Sequence, residues 1–487
     1  MKHRLPLLII FSICLWALFA LFFKVNYWQN HDGNFHLQRG YAAIESLKSG
    51  QIPLRWSRIL NYGCGLPVYN FYYPLTYYLL GSLGLLNINL VIAFKIILGL
   101  FYFMGTISIY FFIYYLLKSR SAALIGAVLF ALNPYYLQLI YVRANPELLA
   151  YCLLPLILLF ILKSKYFLLY ISLILYFLSH NTVILITLPL IILFISYLFL
   201  KNKKIDYFLI ITFVLAVLTS SFFLGPALLE KKYVKLGTNI AADYQQHFPT
   251  IKQLFFSPWG WGYSTSDAND GMSFKFGYVQ WLILAISFIV GLKINRRIFY
   301  LSLLILFFLF LSLSSSSFIW EKIPILQQLQ YPWRILGLCV FLISILAPFI
   351  FITISLKYRP IFLVFIIVAS IISNRNHIQA VLNPHLPDFT RIGSTTIADE
   401  ILPINATKDC YLDGNKLSYF PNAYLISKNQ QAVNYQDCLG YVCLDSRDTS
   451  TKDFTWHYQS TPIQKLFNYL SIFSLITWLI LAFFKRK

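Results

Sequence analysis

The stretch from residue 30 to 58, NHDGNFHLQRGYAAIESLKSGQIPLRWSR, is the most polar early part of a very apolar chain. It contains Asp32, His36 four residues later, and Arg39 one turn further. If the stretch is helical, these three side chains project from neighbouring positions on one face. A carboxylate and an imidazole can exchange protons, and a guanidinium binds phosphate oxygens. The competing interpretation is an interfacial helix whose charges only keep it out of the lipid.

Further cationic residues fall at one predicted depth, near the interface on the same side of the membrane. They are Arg39, Arg55 and Arg58 in the first loop, Lys95, Arg143, and Arg334 within QYPWR. Planar guanidinium donors suit phosphate oxygens, although each residue alone is also explained by snorkelling to lipid headgroups. Their occurrence with Asp32, His36 and Glu147 favours a site with a base for an acceptor hydroxyl and cations for a leaving phosphate.

Composition indicates the class of protein. Of 487 residues, 59% are hydrophobic and 12% are charged, which excludes an ordinary soluble domain and predicts an all-α polytopic membrane protein. The net charge is +21, but Lys and Arg lie mostly in short clusters between apolar runs. Membrane orientation produces that pattern, so the expected partner is the lipid bilayer and not nucleic acid.

The apolar runs predict a bundle of twelve transmembrane helices. The run 71–86 is short and interrupted by Pro74, Gly81 and Gly84, so we interpret it as interfacial or re-entrant. The predicted spans are about 5–23, 90–117, 121–139, 146–162, 166–179, 182–200, 205–224, 277–293, 298–314, 333–355, 360–373 and 464–484. This arrangement places the clusters KSR, KSK, KNKK, KINRR, KYR and KRK on one side, predicting a cytoplasmic (plasma) membrane protein with both termini in the cytoplasm.

The acidic residues provide a second check on the orientation. Of the 18 Asp and Glu residues, only Asp206 falls on the predicted inner side. The working face is therefore expected to be external, and it comprises four segments. They are the first outer loop 24–89, the turn around 143–147, the loop 225–276 and the region 374–463.

The predicted domains are a transmembrane domain 1–373, an outer module 374–463, and a last transmembrane helix with a basic tail, 464–487. Residues 374–463 show short alternating runs broken by turn residues, which predicts a small β-rich module. Cys14, Cys152 and Cys339 lie in apolar spans and are expected to be packing residues. Any disulfide would involve the outer cysteines, with the pairing left open: Cys64, Cys410, Cys438 and Cys443.

Several motifs resemble known families. The inner N-terminus, single span and long outer loop with an early acidic residue resemble the GT-C superfamily of membrane glycosyltransferases. More narrowly, the chain resembles the bacterial membrane proteins described as 6-pyruvoyl-tetrahydropterin-synthase-related. The motifs that carry this second resemblance are HDGNFHLQR, GQIPLRWSRILNYGCGLPVYNFYYPLTYYL, GPALLEKKYV, SPWGWGYS, QYPWR and TTIADEILP.

The GT-C resemblance implies that Asp32 is the first-loop catalytic aspartate, acting as a base toward the acceptor or positioning it. It further implies a polyprenyl-phosphate sugar donor and an envelope glycan, lipid or protein acceptor at the outer face. For His36 three roles stay open. It could orient Asp32, touch the donor phosphate, or complete a site for a divalent cation such as Mg or Mn with Asp32.

Two outer segments have both a binding and a structural interpretation. Glu230, Lys231 and Lys232 could contact donor or acceptor, or could cap the end of a span and remain solvated. The loop SPWGWGYSTSDANDG, with Trp259 and Trp261, could stack on a sugar or form an interfacial aromatic belt. His180 is expected to satisfy a local hydrogen bond.

Two other classes of function compete with a glycosyltransferase. A transporter or flippase of lipid-linked glycans would also use about twelve spans, but ion-coupled transporters usually keep ionisable residues near the bilayer midplane. No Asp or Glu falls in the middle of any predicted span. A non-catalytic protein of envelope assembly would keep the fold without needing Asp32.

Overall fold

The structure is a computed structural model, and it describes residues 3–237, 243–264, 271–396, 398–404, 423–427, 435–438, 441–444, 454–458 and 460–486. Helices dominate this described part. In chain order they are α1 Arg4–Phe19, α2 Gly33–Lys48, α3 Val68–Phe71, α4 Leu75–Leu85, α5 Leu90–Leu117, α6 Arg120–Ala131, α7 Pro134–Tyr141, α8 Glu147–Leu162, α9 Tyr166–Phe177, α10 Asn181–Asn202, α11 Tyr207–Thr219, α12 Ser221–Leu229, α13 Ile251–Phe256, α14 Tyr278–Lys293, α15 Arg296–Leu311, α16 Ser317–Lys322, α17 Pro324–Gln327, α18 Ile335–Thr353, α19 Arg359–Asn374 and α20 Pro462–Arg486.

Within the described residues, six helices are long and apolar enough to cross a membrane, or up to nine if each bent pair is one span. Three further predicted spans correspond to α8, α9 and α14, which have 12 to 16 residues. At about 1.5 Å per residue they reach at most about 24 Å, less than the ~30 Å of a typical hydrocarbon core. The count of twelve spans therefore stays a prediction.

Three pairs of helices are bent, and the bends of two of them fall inside spans predicted as continuous, 121–139 and 205–224. α6 and α7 meet at 44°, α11 and α12 at 60°, and α15 and the segment Ser314–Lys322 at 93°. In the first pair Pro134 cannot continue a helix, and Asn133 caps α7 by accepting a hydrogen bond from the Tyr136 N–H at 2.8 Å. Asn133 and Pro134 are signals of a helix break, but the continuous apolar run across them predicted a single straight span.

The chain packs into two compact units, each built from three segments. The first unit comprises Met1–Gly33, Lys95–Ile210 and Ala242–His385. The most buried of the six long helices is α18, which packs against α6, α14 and α15. Gly126 of α6 allows close approach, because an added Cβ would lie 2.6 Å from the Ser344 carbonyl oxygen of α18. Small residues that let helix backbones approach are a common means of helix packing in membranes.

The second unit comprises Asn34–Phe94, Ile211–Ala241 and Leu386–Lys487. Here α12 packs against α20, with Gly225 lying against the ring of Phe467. The bend before α12 frees backbone groups, and the Phe222 N–H donates to Ser471 Oγ at 2.9 Å. A polar side chain thus satisfies the helix break inside an apolar environment.

Four short strands lie in the second unit. β1 Ala423–Ser427 pairs antiparallel with β4 Phe454–Tyr458, and β2 Tyr435–Cys438 pairs antiparallel with β3 Tyr441–Leu444. Most of the predicted module 374–463 beyond residue 404 lies outside the described residues. The β-rich module and the domain limits at 374 and 463 stay predictions, as do any cysteine pairs among Cys410, Cys438 and Cys443. Cys64 is disulfide-bonded.

Single cysteines test the predicted orientation. We expect a membrane-impermeant thiol reagent applied to intact cells to label cysteine at Lys48 or Tyr263, and to leave Lys203→Cys and Arg297→Cys unlabelled until the membrane is permeabilised. All four positions are exposed, so protection cannot come from burial. Labelling of the parent chain, which carries all seven native cysteines, is measured as the background and subtracted. External labelling at Lys203 would contradict the topology.

Candidate functional site

Asp32 is held by the turn between α7 and α8 in the first unit. The His31 N–H donates to the Val142 carbonyl at 2.9 Å, and the Asp32 N–H donates to the Arg143 carbonyl at 3.0 Å. Helix α2 begins only at Gly33, so Asp32 precedes the helix instead of sharing its face with His36 and Arg39. Backbone pairing therefore fixes the main chain of Asp32.

The side chain of Asp32 is asymmetric in its contacts. Its Oδ2 accepts a hydrogen bond from Asn145 Nδ2 at 2.6 Å and lies 3.6 Å from a guanidinium nitrogen of Arg143. Among the described residues no hydrogen bond reaches Oδ1, and the side chain is 22% exposed. One carboxylate oxygen is thus anchored, while the other remains open to accept a proton.

Asn145 joins Asp32 to the start of α8. While its Nδ2 donates to Asp32, its Oδ1 accepts from the Glu147 N–H at 2.8 Å. It therefore satisfies one of the free N–H groups that begin a helix. Sequence reasoning missed Asn145. An Asn-Pro-Glu run at a helix start was the available signal, since Asn and Pro are both favoured there.

Glu147 is the buried anion beneath Asp32. Its side chain is 0% exposed and contacts Arg143 at 2.7 Å and Arg334 at 3.4 Å, while the hydroxyl of Tyr135 donates to Oε1 at 2.5 Å. Together with Asp32, this cluster holds two carboxylates and two guanidinium groups, so its formal charge is zero. The structure thus brings together four residues that the sequence analysis singled out.

Aromatic rings complete the surroundings of the two arginines. The Arg143 guanidinium lies 4.6 Å from the ring centre of Trp333, and that of Arg334 lies 4.8 Å from Tyr331. Arg334 also donates to the Leu329 carbonyl at 2.6 Å. Such stacking restricts the planar groups and excludes water from them.

His31 lies beside Asp32 and contacts the tryptophan-rich loop. Burial lowers the pKa of His31 below its ordinary value of 6.5, against the opposing effects of Asp32 and of the nearby backbone of Trp261 and Gly262. Its Nε2 is buried and has no hydrogen-bond partner within the described part of the chain. The Trp261 Nε1–H donates to the Tyr141 carbonyl at 3.2 Å, which holds this loop near the turn that carries Asp32. The sequence analysis did not identify His31.

His180 lies near Glu147 without adding a charge. Burial lowers its pKa to about 3, although the carboxylate of Glu147 acts in the opposite direction. The imidazole is therefore neutral at physiological pH. Its Nδ1 lies 3.1 Å from the Thr182 hydroxyl, which confirms the predicted local hydrogen bond.

The other predicted residues of the first loop belong to the second unit. His36 is buried and its Nδ1 lies 3.1 Å from the Tyr77 hydroxyl. Arg39 is also buried; it donates to Tyr77 at 3.0 Å and to Thr395 Oγ1 at 3.1 Å, and its guanidinium lies 3.9 Å from the Tyr72 ring centre. Both residues are integrated into a tyrosine-rich core.

Arg55 and Glu230 are likewise buried in the second unit. Arg55 donates to Asn70 at 3.3 Å and to Asn468 at 2.8 Å. Glu230 accepts hydrogen bonds from Thr461 and, at 2.7 Å, from Gln464. The expectation that Glu230 remains solvated at a helix end was wrong, because residues of the last helical region enclose it.

The predicted cations differ sharply in exposure. Arg58, Lys231 and Lys232 are exposed, whereas Arg39, Arg55, Arg143 and Arg334 are 1–6% exposed. Lys95 is also buried and donates to the Val25 carbonyl at 2.6 Å. The buried arginines and Lys95 therefore do not snorkel to lipid headgroups, because their charged groups contact protein atoms. Their role in donor binding stays a prediction.

The residues present do not build the divalent-cation site that Asp32 and His36 would begin. Among the described residues, no three His, Cys, Asp or Glu side chains lie close enough to hold a metal ion. Asp32 is instead surrounded by an amide and a guanidinium, and His36 contacts a tyrosine hydroxyl.

Comparison with known proteins supplies a family. Comparison with curated proteins found no match. Among solved structures, the chain is similar to the arabinofuranosyltransferase AftD from Mycobacteria, determined by single-particle cryo-EM, with a TM-score of 0.46 and 13% identity. The match covers 78% of this chain and 27% of that one, so the chain spans about a quarter of that protein's length.

Residues 69–381, more than half of the chain, match the family described as 6-pyruvoyl-tetrahydropterin synthase related domain, membrane protein. This segment includes the turn with Arg143 and Glu147, the tryptophan-rich loop and Arg334. The chain therefore belongs to this family of 6-pyruvoyl-tetrahydropterin-synthase-related membrane proteins.

Proposed function

We propose that the chain is a membrane glycosyltransferase that uses a polyprenyl-phosphate sugar donor at the outer face, with Asp32 as the general base. The observation that carries this proposal is the asymmetric Asp32 carboxylate, with Oδ2 anchored by Asn145 and Oδ1 open. A base needs a fixed orientation together with a free acceptor position. The resemblance to GT-C enzymes, in which a first-loop aspartate is catalytic, supports the same assignment.

The proposed reaction is a displacement at the anomeric carbon of the donor sugar. Asp32 Oδ1 takes the proton of the acceptor hydroxyl while the hydroxyl oxygen forms a bond to the anomeric carbon. The bond from the anomeric carbon to the phosphate oxygen breaks, and the polyprenyl phosphate leaves with the electron pair. The base makes the acceptor oxygen more nucleophilic as charge develops on the phosphate.

Neighbouring residues have positioning roles in this mechanism. Asn145 and Arg143 hold the carboxylate of Asp32, and Glu147 holds Arg143. We assign the buried Nε2 of His31, which has no hydrogen-bond partner in the described part of the chain, as the hydrogen-bonding position for a substrate hydroxyl beside Asp32. Burying a polar atom without a partner is costly, so a ligand that satisfied it would gain affinity.

The predicted outer location of this chemistry has independent support. Cys64 in the first loop is disulfide-bonded, and disulfides persist in oxidising compartments outside the cytoplasm. Acceptors at such a face are envelope glycans, lipids or proteins.

Asp32→Asn tests the base. The variant keeps the size and polarity of the side chain but cannot accept the proton, so we expect transfer of labelled sugar from prenyl phosphate in proteoliposomes to fall roughly 10²–10⁴-fold. Donor binding and melting temperature should stay close to wild type, because the side chain is partly exposed. Full activity of Asp32→Asn would refute the mechanism. A flippase would instead translocate labelled lipid without transferring its sugar, and a scaffold would do neither.

Glu147→Gln tests the buried network that supports Asp32. This change removes the charge that pairs with Arg143 and Arg334, and breaking a buried ion pair costs roughly 3–5 kcal/mol. We expect a clear fall in melting temperature in detergent. Asp32→Asn is the matched control, since it makes the same chemical change at a partly exposed carboxylate of the same cluster. Equal melting temperatures for the two variants would contradict the supporting role of Glu147.

A further inference from the structure

The first unit carries a long apolar groove between α14 and α19, apart from the residues around Asp32. Its volume is about 1270 Å³. Aliphatic and aromatic side chains form most of its wall, including Val279, Leu282, Val364, Phe365, Val368 and Ile372. A groove of this composition suits a hydrocarbon chain.

The length of the groove restricts the kind of chain. Along α19 its lining runs from Pro360 to Ser373, which corresponds to about 20 Å at about 1.5 Å per residue. One leaflet supplies roughly half of the ~30 Å hydrocarbon core. A single acyl chain of a phospholipid ends near the midplane, whereas a long isoprenoid chain continues past it. The groove is long enough for several isoprene units, and the donor of the proposed function supplies such a chain.

Charge is confined to one end of the groove. Lys275 and Arg375 line that end, and no Asp or Glu is found among the described lining residues. Within the described part of the chain, neither cation pairs with a carboxylate; Lys275 lies 4.9 Å from the Tyr278 ring centre. Two uncompensated cations at the mouth of an apolar groove complement an amphiphile with an anionic head, such as a phosphate.

The charged end is connected to the turn that holds Asp32. Trp259 lines the groove and stacks on His377 with ring centres 4.5 Å apart. Two residues later in the same loop, Trp261 and Gly262 provide the backbone neighbours of His31. One short loop therefore contacts both the groove mouth and the residue beside Asp32.

We infer that this groove binds the isoprenoid chain of the lipid-linked donor, with Lys275 and Arg375 contacting its phosphate. The inference rests on the proposed function for the identity of the donor and adds the site that holds it. The phosphate would then lie at the end of the groove from which the tryptophan loop leads to Asp32.

A binding experiment without sugar transfer tests this site. The probe is a long-chain polyprenyl monophosphate carrying no sugar, titrated against the full chain in nanodiscs. We expect the double variant Lys275→Gln/Arg375→Gln to weaken binding at least about tenfold, or about 1.4 kcal/mol, since both charge-assisted hydrogen bonds to the phosphate are lost. The matched control Lys203→Gln/Arg297→Gln removes two exposed cations elsewhere and should leave affinity unchanged.

Filling the groove gives a second measurement on its apolar part. Val368→Trp should weaken binding of the same probe at least about tenfold, whereas Leu193→Trp, on an exposed apolar face of α10, should not. If Val368→Trp does not fold, the Gln variants decide the matter alone. Unchanged affinity in the Lys275→Gln/Arg375→Gln variant would overturn the inference.

Excess phosphatidylglycerol separates the two sources of a lipid phosphate. We expect it to displace the polyprenyl probe poorly, and equal displacement would mean that the groove is an ordinary phospholipid site. Failure of the proposed function would look different. A chain that binds the probe in this groove but never transfers sugar would keep the inference and lose the glycosyltransferase.

Discussion

The buried carboxylate of Glu147 is the constraint on which the candidate site depends. An isolated charge without access to water would be very costly, so it must be paired and hydrogen-bonded. Arg143, Arg334 and Tyr135 meet that requirement. Tyr135 and Arg143 belong to α7 and the turn after it, whereas Arg334 comes from the segment before α18. The same Arg143 and the neighbouring Asn145 then reach Asp32. The same contacts therefore stabilise the buried charge of Glu147 and orient the partly exposed carboxylate of Asp32.

In the second unit, neutral hydrogen-bonding side chains surround the buried charged residues. Arg39 is enclosed by tyrosines and Thr395, Arg55 by two asparagines, and Glu230 by Thr461 and Gln464. None of these partners is adjacent in sequence. Because such groups cannot be left unsatisfied within an apolar protein, they specify which segments pack together. Their primary contribution is therefore to the fold, and donor contact through them stays a prediction.

Features that depend on neighbouring residues could be predicted from the sequence, whereas features that depend on contacts between distant residues could not. Apolar runs and break residues are local, so helices were predicted near their observed positions, while the bend at Asn133-Pro134 was hidden by the continuous apolar pattern. Asp32, Arg143 and Glu147 were found because charged residues are rare in this chain. Asn145 and His31 were missed, since their significance lies in contacts between residues 31–32 and the turn after α7 or the loop near 261. Such pairings depend on tertiary packing, which a single sequence does not encode locally. Short helices such as α8 also leave the span count open.

A sugar on a lipid phosphate that reacts by the proposed mechanism must bind with its anomeric carbon beside Asp32. A cryo-EM structure of the full chain with a non-transferable prenyl-phosphonate sugar analogue would show where that carbon lies. We expect the isoprenoid chain between α14 and α19, the phosphonate at Lys275 and Arg375, and the anomeric carbon facing Asp32 Oδ1 with room for an acceptor hydroxyl between them. An analogue bound with its anomeric carbon away from Asp32, so that no acceptor oxygen could contact both, would refute the role of Asp32 as the base.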